Sequence, residues 1–479
     1  MVIRNREDLL AHGNAAGRSV VLDILEAGLR APDPYDNVRR LVRVEGRRLI
    51  VGTPDLSEPP GQPPLAFDLD RVGAIYALGG GKAVQRMAEG LEDALGDLIT
   101  DGQIVAKKGD TARLKRIPLI LGGHPFPDED SVAGATRIYE ILHRARKGDI
   151  VFYFTSGGGT ALTALPAPGI SLDDLREVYR VLYFGSGANM PVANAVRNHL
   201  TLLNTKHARY LGDATLIHVG SSETPARLKV HLYKQPNGMN GHQAAIKVLR
   251  DNDCWEKVPQ SVRDFLLRAD PRYGPVLPEE VAGKPHYHFR VMGPEQMLAG
   301  AKRRAKELGL RAAILATSLS DVEAQPVAEA LAYVAQEVEV LGQPFEPPCV
   351  ILLGGELVVA VGDATGRGGR NTEFALAAAV RIAGSPNTVI GSVDSEGTDG
   401  PTETAGAIVD GETLRRAREA GFDVAAELRN HNSGAVLEAL GDGIVTGIRG
   451  TNVRDLRVIY VGGRHEWAEP PRPIDLARR

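Results

Sequence analysis

Cysteine is nearly absent from this chain: Cys254 and Cys349 are the only two in 479 residues, and they lie far apart. They offer neither a metal-binding spacing nor a disulfide framework, which fits a reducing compartment. Long apolar runs are missing as well, with no stretch approaching the ~18 residues that a membrane helix needs. The opening residues, MVIRNREDLLAHGN, lack the apolar core of a signal peptide, so the expected location is the cytoplasm. Positive charge is not in excess. Lys and Arg number 56 against 60 Asp and Glu, and the net charge of −4 argues against a nucleic-acid surface. Two familiar nucleotide loops are also lacking. Gly79-Gly80-Gly81-Lys82 is no Walker A loop, because Tyr76 stands five before Gly81 and Ala83 follows the lysine. No Gly-x-Gly-x-x-Gly with a following ribose-binding acid is found, which weighs against a dinucleotide-dependent reductase.

What is plentiful is glycine, 54 residues, above the usual ~7%. The glycines cluster beside strand-like runs. VGAIYAL (72–78) breaks at Gly79-Gly80-Gly81-Lys82 and continues as a helical pattern. The run 149–155 breaks at Ser156-Gly157-Gly158-Gly159-Thr160, and 117–121 at Gly122-Gly123-His124-Pro125. Repeated strand, glycine turn and helix predicts an α/β fold, Rossmann-like, with a mainly parallel sheet. The length predicts two such domains, residues 1–260 and 286–479, with the boundary within 255–285 and an active-site cleft between them. One helix is expected over 6–30, and Leu357 to Val361 reads as a strand.

The candidate site residues sit on these turns. Gly366-Arg367-Gly368-Gly369-Arg370-Asn371 precedes a helix, where unpaired first-turn N–H groups and the dipole favour an anion. Asp394, Glu396 and Asp399 follow and are acids of the kind that hold a hard cation; a solvated acidic loop is the competing reading. Lys82 can place its ammonium over a phosphate, or simply be a solvated lysine in a plain turn. Ser156 to Thr160 can form an anion-binding nest as readily as a structural turn. Arg197 and His199 lie at a helix end, and a lone histidine there is more often structural.

Taken in order, these blocks resemble the glycerate 2-kinases, with an N-terminal half of the glycerate-kinase type and a C-terminal half of the MOFRL type. The carriers are GGGKAVQRMAEGLEDALGD (79–97), GGHPFPDEDS (122–131), SGGGTALTALPAPGISLDDL (156–175), SGANMPVANAVRNHL (186–200), GRGGRNTEFAL (366–376), GTDGPTETAGAIVD (397–410) and GTNVRDL (450–456). The resemblance implies ATP- and Mg²⁺-dependent phosphorylation of the 2-hydroxyl of D-glycerate or a related hydroxy acid. It puts Lys82, Arg370 and Asp399 in catalytic roles, with Asp394 and Asp399 as metal ligands. Nucleotide, phosphate or substrate contacts fall to Gly80, Gly81, Ser156, Gly157, Gly158, Gly159, Arg197, Gly368, Gly369, Asn371, Glu356, Thr451 and Asn452. A homodimer is the ordinary expectation for such an enzyme. The chain departs from the family between its halves: LIHVGSSETPARLKVHLYKQPNGMNGHQ (216–243) stands where an acidic Gly-Asp-Asp block is usual, and 251–290 reads as an insertion. The alternatives are a hydroxypyruvate reductase and a non-catalytic relative that binds a nucleotide or sugar acid.

Overall fold

The computed structural model describes the chain except residues 112, 186–189, 223–240 and 466–479, and except the side chains of 184–192. It divides into two compact units: one built from 34–222 with the described part of 229–291, the other from 1–33 with the described part of 292–479. Among the described residues no helix is long and apolar enough to cross a membrane. Cys254 and Cys349 are both buried and free.

The first unit holds a seven-stranded sheet, ordered Ser57–Glu58, His286–Met292, Thr215–Ser221, Ile150–Thr155, Ile75–Gly80, Asp101–Lys107 and Leu119–Gly122. The last five pair in parallel. Their central residues are apolar on both faces (Ile75, Ala77, Phe152, Phe154 and Ile217 in one cluster, Tyr76, Leu78, Val151, Tyr153 and Leu216 in another), as a sheet covered on both sides requires. Chain order runs outward in both directions from the adjacent pair Ile75–Gly80 and Ile150–Thr155. Ligands in open α/β sheets bind at such a reversal, beyond the carboxyl ends of the strands.

The second unit holds a six-stranded sheet, ordered Arg311–Ala316, Cys349–Gly355, Asp455–Val461, Thr388–Asp394, Gly406–Asp410 and Gly443–Ile444. Here the expectation of parallel pairing holds only for the first pair; the other neighbours run antiparallel. Periodicity could not reveal this. These strands are buried on both faces and read as continuous apolar runs, the same signal a parallel strand gives. Helices Ala324–Leu341 and Arg370–Arg381 pack with Ile351, Leu353, Ile390 and Ile459 on one face. On the other, Val21 and Leu25 of helix Ala15–Arg30 close on Gly391.

That last contact corrects the expected boundary at residue 1. Residues 1–33 belong with the C-terminal sheet because their amphipathic helix buries its apolar side there. They are also pinned by Arg18, fully buried, whose Nε lies 2.5 Å from Asp410 and Nη1 2.7 Å from Asp442. The single helix expected over 6–30 is two, Arg6–Leu10 and Ala15–Arg30, because Asn14 caps the second by accepting the Gly17 N–H at 2.9 Å. Leu357–Val361 forms no strand; only Val358 bridges, to Glu323. In the segment lacking the family's acidic block, Thr215–Ser221 is a strand, and 223–240 lies outside the described residues, as does 186–189 of SGANM.

Candidate functional site

In the parallel sheet, the two central strands deliver two glycine turns side by side. Lys82 follows Ile75–Gly80, and its N–H donates to the Gly157 carbonyl at 2.8 Å. The Ala83 N–H donates to Ser156 Oγ at 3.0 Å. Gly81 makes this approach possible: its φ is 149°, and a Cβ there would stand 2.2 Å from Ser156 Oγ. Ser156 therefore clamps the two turns together, and Gly80 is a buried strand residue. Among the described residues, the N–H groups of Gly157 and Gly158 have no hydrogen-bond partner. Gly158 is left-handed, so the loop has the backbone of an open anion nest, and Gly159 begins a short helix.

Around this nest the side chains are cationic. Lys82 lies along the loop, its Cε 3.7 Å from where a Cβ of Gly157 would sit, and has no carboxylate partner among the described residues. Arg197 is buried between the rings of Tyr179 and Tyr183, 4.4 and 5.0 Å from their centroids. It donates to Asn194 Oδ1, and its Nε is unpartnered among the described residues. His124 is held below the ordinary imidazole range, first by burial and then by the charges of Lys82, Lys107 and Arg197. Unpaired cations around unfilled N–H groups leave an attractive place for a phosphate or carboxylate. His199 takes no part: burial pushes it down to about 3, and its Nδ1 lies 2.8 Å from the Ala195 carbonyl.

In the antiparallel sheet, register sets the geometry. Gly355, Asp455 and Asp394 face one another across three neighbouring strands. Two carboxylates directly opposite repel, and the guanidinium of Arg370 bridges them. Its Nε and Nη2 each lie 2.9 Å from Asp455, and Nη2 lies 2.6 Å from Asp394. Glu356 stands 3.5 Å from Nη1, and that nitrogen makes no hydrogen bond among the described residues. Arg457, fully buried, also donates to Asp455, to Oδ2 at 2.7 Å, the oxygen that Arg370 Nε contacts. Asp394 is nonetheless pushed up to about 7, by burial first and by Asp455 next, with Arg370 pulling the other way.

The helix start expected to hold an external anion holds an internal one. Asp399, fully buried, accepts the N–H of Asn371 at 3.0 Å, the N–H of Thr372 at 2.8 Å and the Thr372 hydroxyl at 2.9 Å. Gly369 is glycine for this reason: a Cβ there would lie 2.4 Å from the Asp399 carboxyl carbon. Asp399 here acts as a cap on the helix start, where the sequence led to the expectation of a catalytic residue and metal ligand. The basic loop is likewise neutralised, since Arg367 pairs with Glu438 at 2.5 Å and Arg370 with its acids. Gly368 packs on Ser433, and Asn371 ties Asp399 to Asp455 at 3.2 and 3.1 Å. Thr451 is buried, and among the described residues Asn452 accepts only the Arg454 N–H, at 3.4 Å; their loop packs on Ser395 through the Val453 N–H.

Sequence reasoning missed Asp455 and Arg457 as site residues. A signal was present: two charges at i and i+2 in an apolar strand, DLRVIYV, must pair inside the protein. A cavity of about 710 Å³, lined by Tyr139, Arg209, Tyr210, His242 and Tyr273 among others, shares no residue with either cluster.

The comparisons agree with both halves. Residues 20–267 match the family described as Domain of unknown function (DUF4147), and residues 349–455 match the MOFRL family. A glycerate 2-kinase of Pyrococcus horikoshii is 36% identical over 92% of this chain and 98% of its own length. A D-glycerate 2-kinase of Thermotoga maritima is 32% identical over 81% and 90%. A protein of Agrobacterium vitis named putative hydroxypyruvate reductase is 34% identical over 81% and 88%. The crystal structure of a Pyrococcus horikoshii protein superposes with a TM-score of 0.79 at 35% identity, covering 93% of this chain and 99% of that one. That of Thermotoga maritima glycerate kinase gives 0.75 at 28%, covering 92% and 99%. With two site-bearing α/β units that match these proteins over nearly their whole length, the chain belongs to the glycerate kinase family.

Proposed function

We propose that the protein is a glycerate 2-kinase, transferring the γ-phosphoryl group of ATP to the 2-hydroxyl of D-glycerate or a closely related hydroxy acid. The observation that carries this reading is the cationic nest at the sheet reversal, unpaired among the described residues: Lys82, Arg197 and the N–H groups of Gly157 and Gly158. Phosphoryl transfer needs positioning and charge neutralisation more than covalent help, and these groups supply both. Arg197, planar and buried, suits a carboxylate; Lys82 suits a phosphoryl oxygen as a compact point charge.

In the other unit, Arg370 is aimed by Asp394 and Asp455 and keeps Nη1 for an anionic oxygen. Among the described residues no three His, Cys, Asp or Glu side chains are grouped to hold a metal. Magnesium arriving on a nucleotide needs only one or two protein carboxylates. Asp394 and the half-exposed Glu356 fit that part, and the cation would neutralise phosphate charge.

The test is a coupled ADP-release assay on the full chain with ATP and D-glycerate, with and without Mg²⁺. The product's conversion by enolase then identifies the 2-phosphate. A parallel arm with NADH and hydroxypyruvate addresses the reductase reading. ADP release that depends on glycerate supports the proposal; NADH loss without it overturns it.

A further inference from the structure

Alcohol phosphorylation releases a proton, and the cationic nest offers few places for it. Ammonium and guanidinium groups, as on Lys82, Lys107 and Arg197, offer donors and no acceptor. Ser156 Oγ accepts the Ala83 N–H, and Nε2 of His218 already lies 3.1 Å from Thr155 Oγ1. Every charged group felt by His124 is positive. The ring of His124, half-buried, stands against Gly158 of the nest. A Cβ on Gly158 would lie 3.0 Å from its Nε2 and 3.2 Å from Lys82 Cγ, so imidazole and lysine stem flank the same glycine. Neither ring nitrogen has a hydrogen-bond partner among the described residues.

We propose that His124 is the base that accepts the proton of the substrate hydroxyl. The assignment rests on the kinase reading above. In the step, the hydroxyl oxygen bonds to the γ-phosphorus and the bond from that phosphorus to the β,γ-bridging oxygen breaks. The electron pair leaves with ADP, and the hydroxyl proton passes to Nε2, giving imidazolium that returns it to water. The groups facing the ring are Lys82 from the first glycine turn, Lys107 from the end of strand Asp101–Lys107 and Arg197 from the end of helix Met190–Arg197. Burial first, and these cations next, hold the imidazole below its ordinary range, so it is able to accept a proton at physiological pH. The same cations repel the imidazolium, which speeds return of the proton.

The experiment compares wild type with His124→Gln and His124→Asn in the glycerate-dependent ADP assay across pH. Expected are a fall in kcat of about 10²–10⁴-fold with KM for ATP little changed, and loss of the acid limb of kcat/KM below the ordinary imidazole pKa. A variant that keeps wild-type kcat, or keeps that limb, overturns the base assignment while leaving the kinase reading intact. A wild type that releases no ADP with any hydroxy acid overturns both. Should neither variant fold by thermal melt, the wild-type profile decides: kcat/KM flat from neutral pH down to the onset of acid unfolding overturns the proposal, and a limb supports it.

Discussion

Asp394 and Asp455 stand opposite each other in antiparallel register, and one guanidinium, that of Arg370, spans both carboxylates. Two acids held this close in a buried sheet cannot both be fully ionised without help. Asp394 absorbs the conflict, and its pKa rises to about 7.

The consequence for pH follows from the sign of that shift. The folded state holds a proton on Asp394 that the unfolded chain, with an ordinary carboxyl, has released. Its contribution to stability is therefore fully present below the unfolded value of 3.8 and is lost as pH rises through about 7. Urea unfolding at several pH values should show wild type losing stability across this window, and Asp394→Asn losing less. Equal slopes for the two proteins would contradict the assignment.

Lys82 carries no carboxylate partner among the described residues and packs along Gly157, so its loss should spare the fold and hurt the chemistry. Lys82→Met is expected to lower glycerate-dependent kcat by about 10²-fold or more, with melting unchanged within error. Turnover within a few-fold of wild type would remove Lys82 from the reaction.

Asp399 should behave in the opposite way. Asp399→Ala leaves the buried N–H groups of Asn371 and Thr372 without their acceptor, a cost of about 1–3 kcal/mol in unfolding free energy. The loss should appear in calorimetry with or without magnesium. A variant as stable as wild type would refute the capping role.

Arg18 tests the attachment of the N-terminal helices. Arg18→Ala removes the only ion-pair partner that buried Asp410 has among the described residues, while Asp442 keeps Arg416 and His12; it should destabilise the protein by about 3–5 kcal/mol. Replacing Arg18 and Asp410 together with apolar residues should recover part of this, which denaturant titration would show.

Much of the site was legible because backbone requirements leave a mark. Lys82, Ser156 and Arg370 were findable from glycines at strand ends, since a strand that turns sharply into a helix needs left-handed or crowded backbone there. The anion that Arg370's helix start demands was legible as a demand. Its identity was not, because Asp399 meets those N–H groups only through the fold. The resemblance to glycerate 2-kinases was readable from seven ordered blocks, and family membership followed.

By itself the sequence determined the α/β alternation, the glycine turns and the charged residues available to them, all of which depend on near neighbours in the chain. Tertiary structure decided which charges cancel. Antiparallel register set Asp455 against Asp394, burial raised the cost of leaving either unpaired, and Arg370 was drawn into neutralising them. Lys82 and Arg197 were left unpaired, because no acid reaches the nest among the described residues. Coulombic partnership depends on distance through space, and only the folded chain fixes that distance.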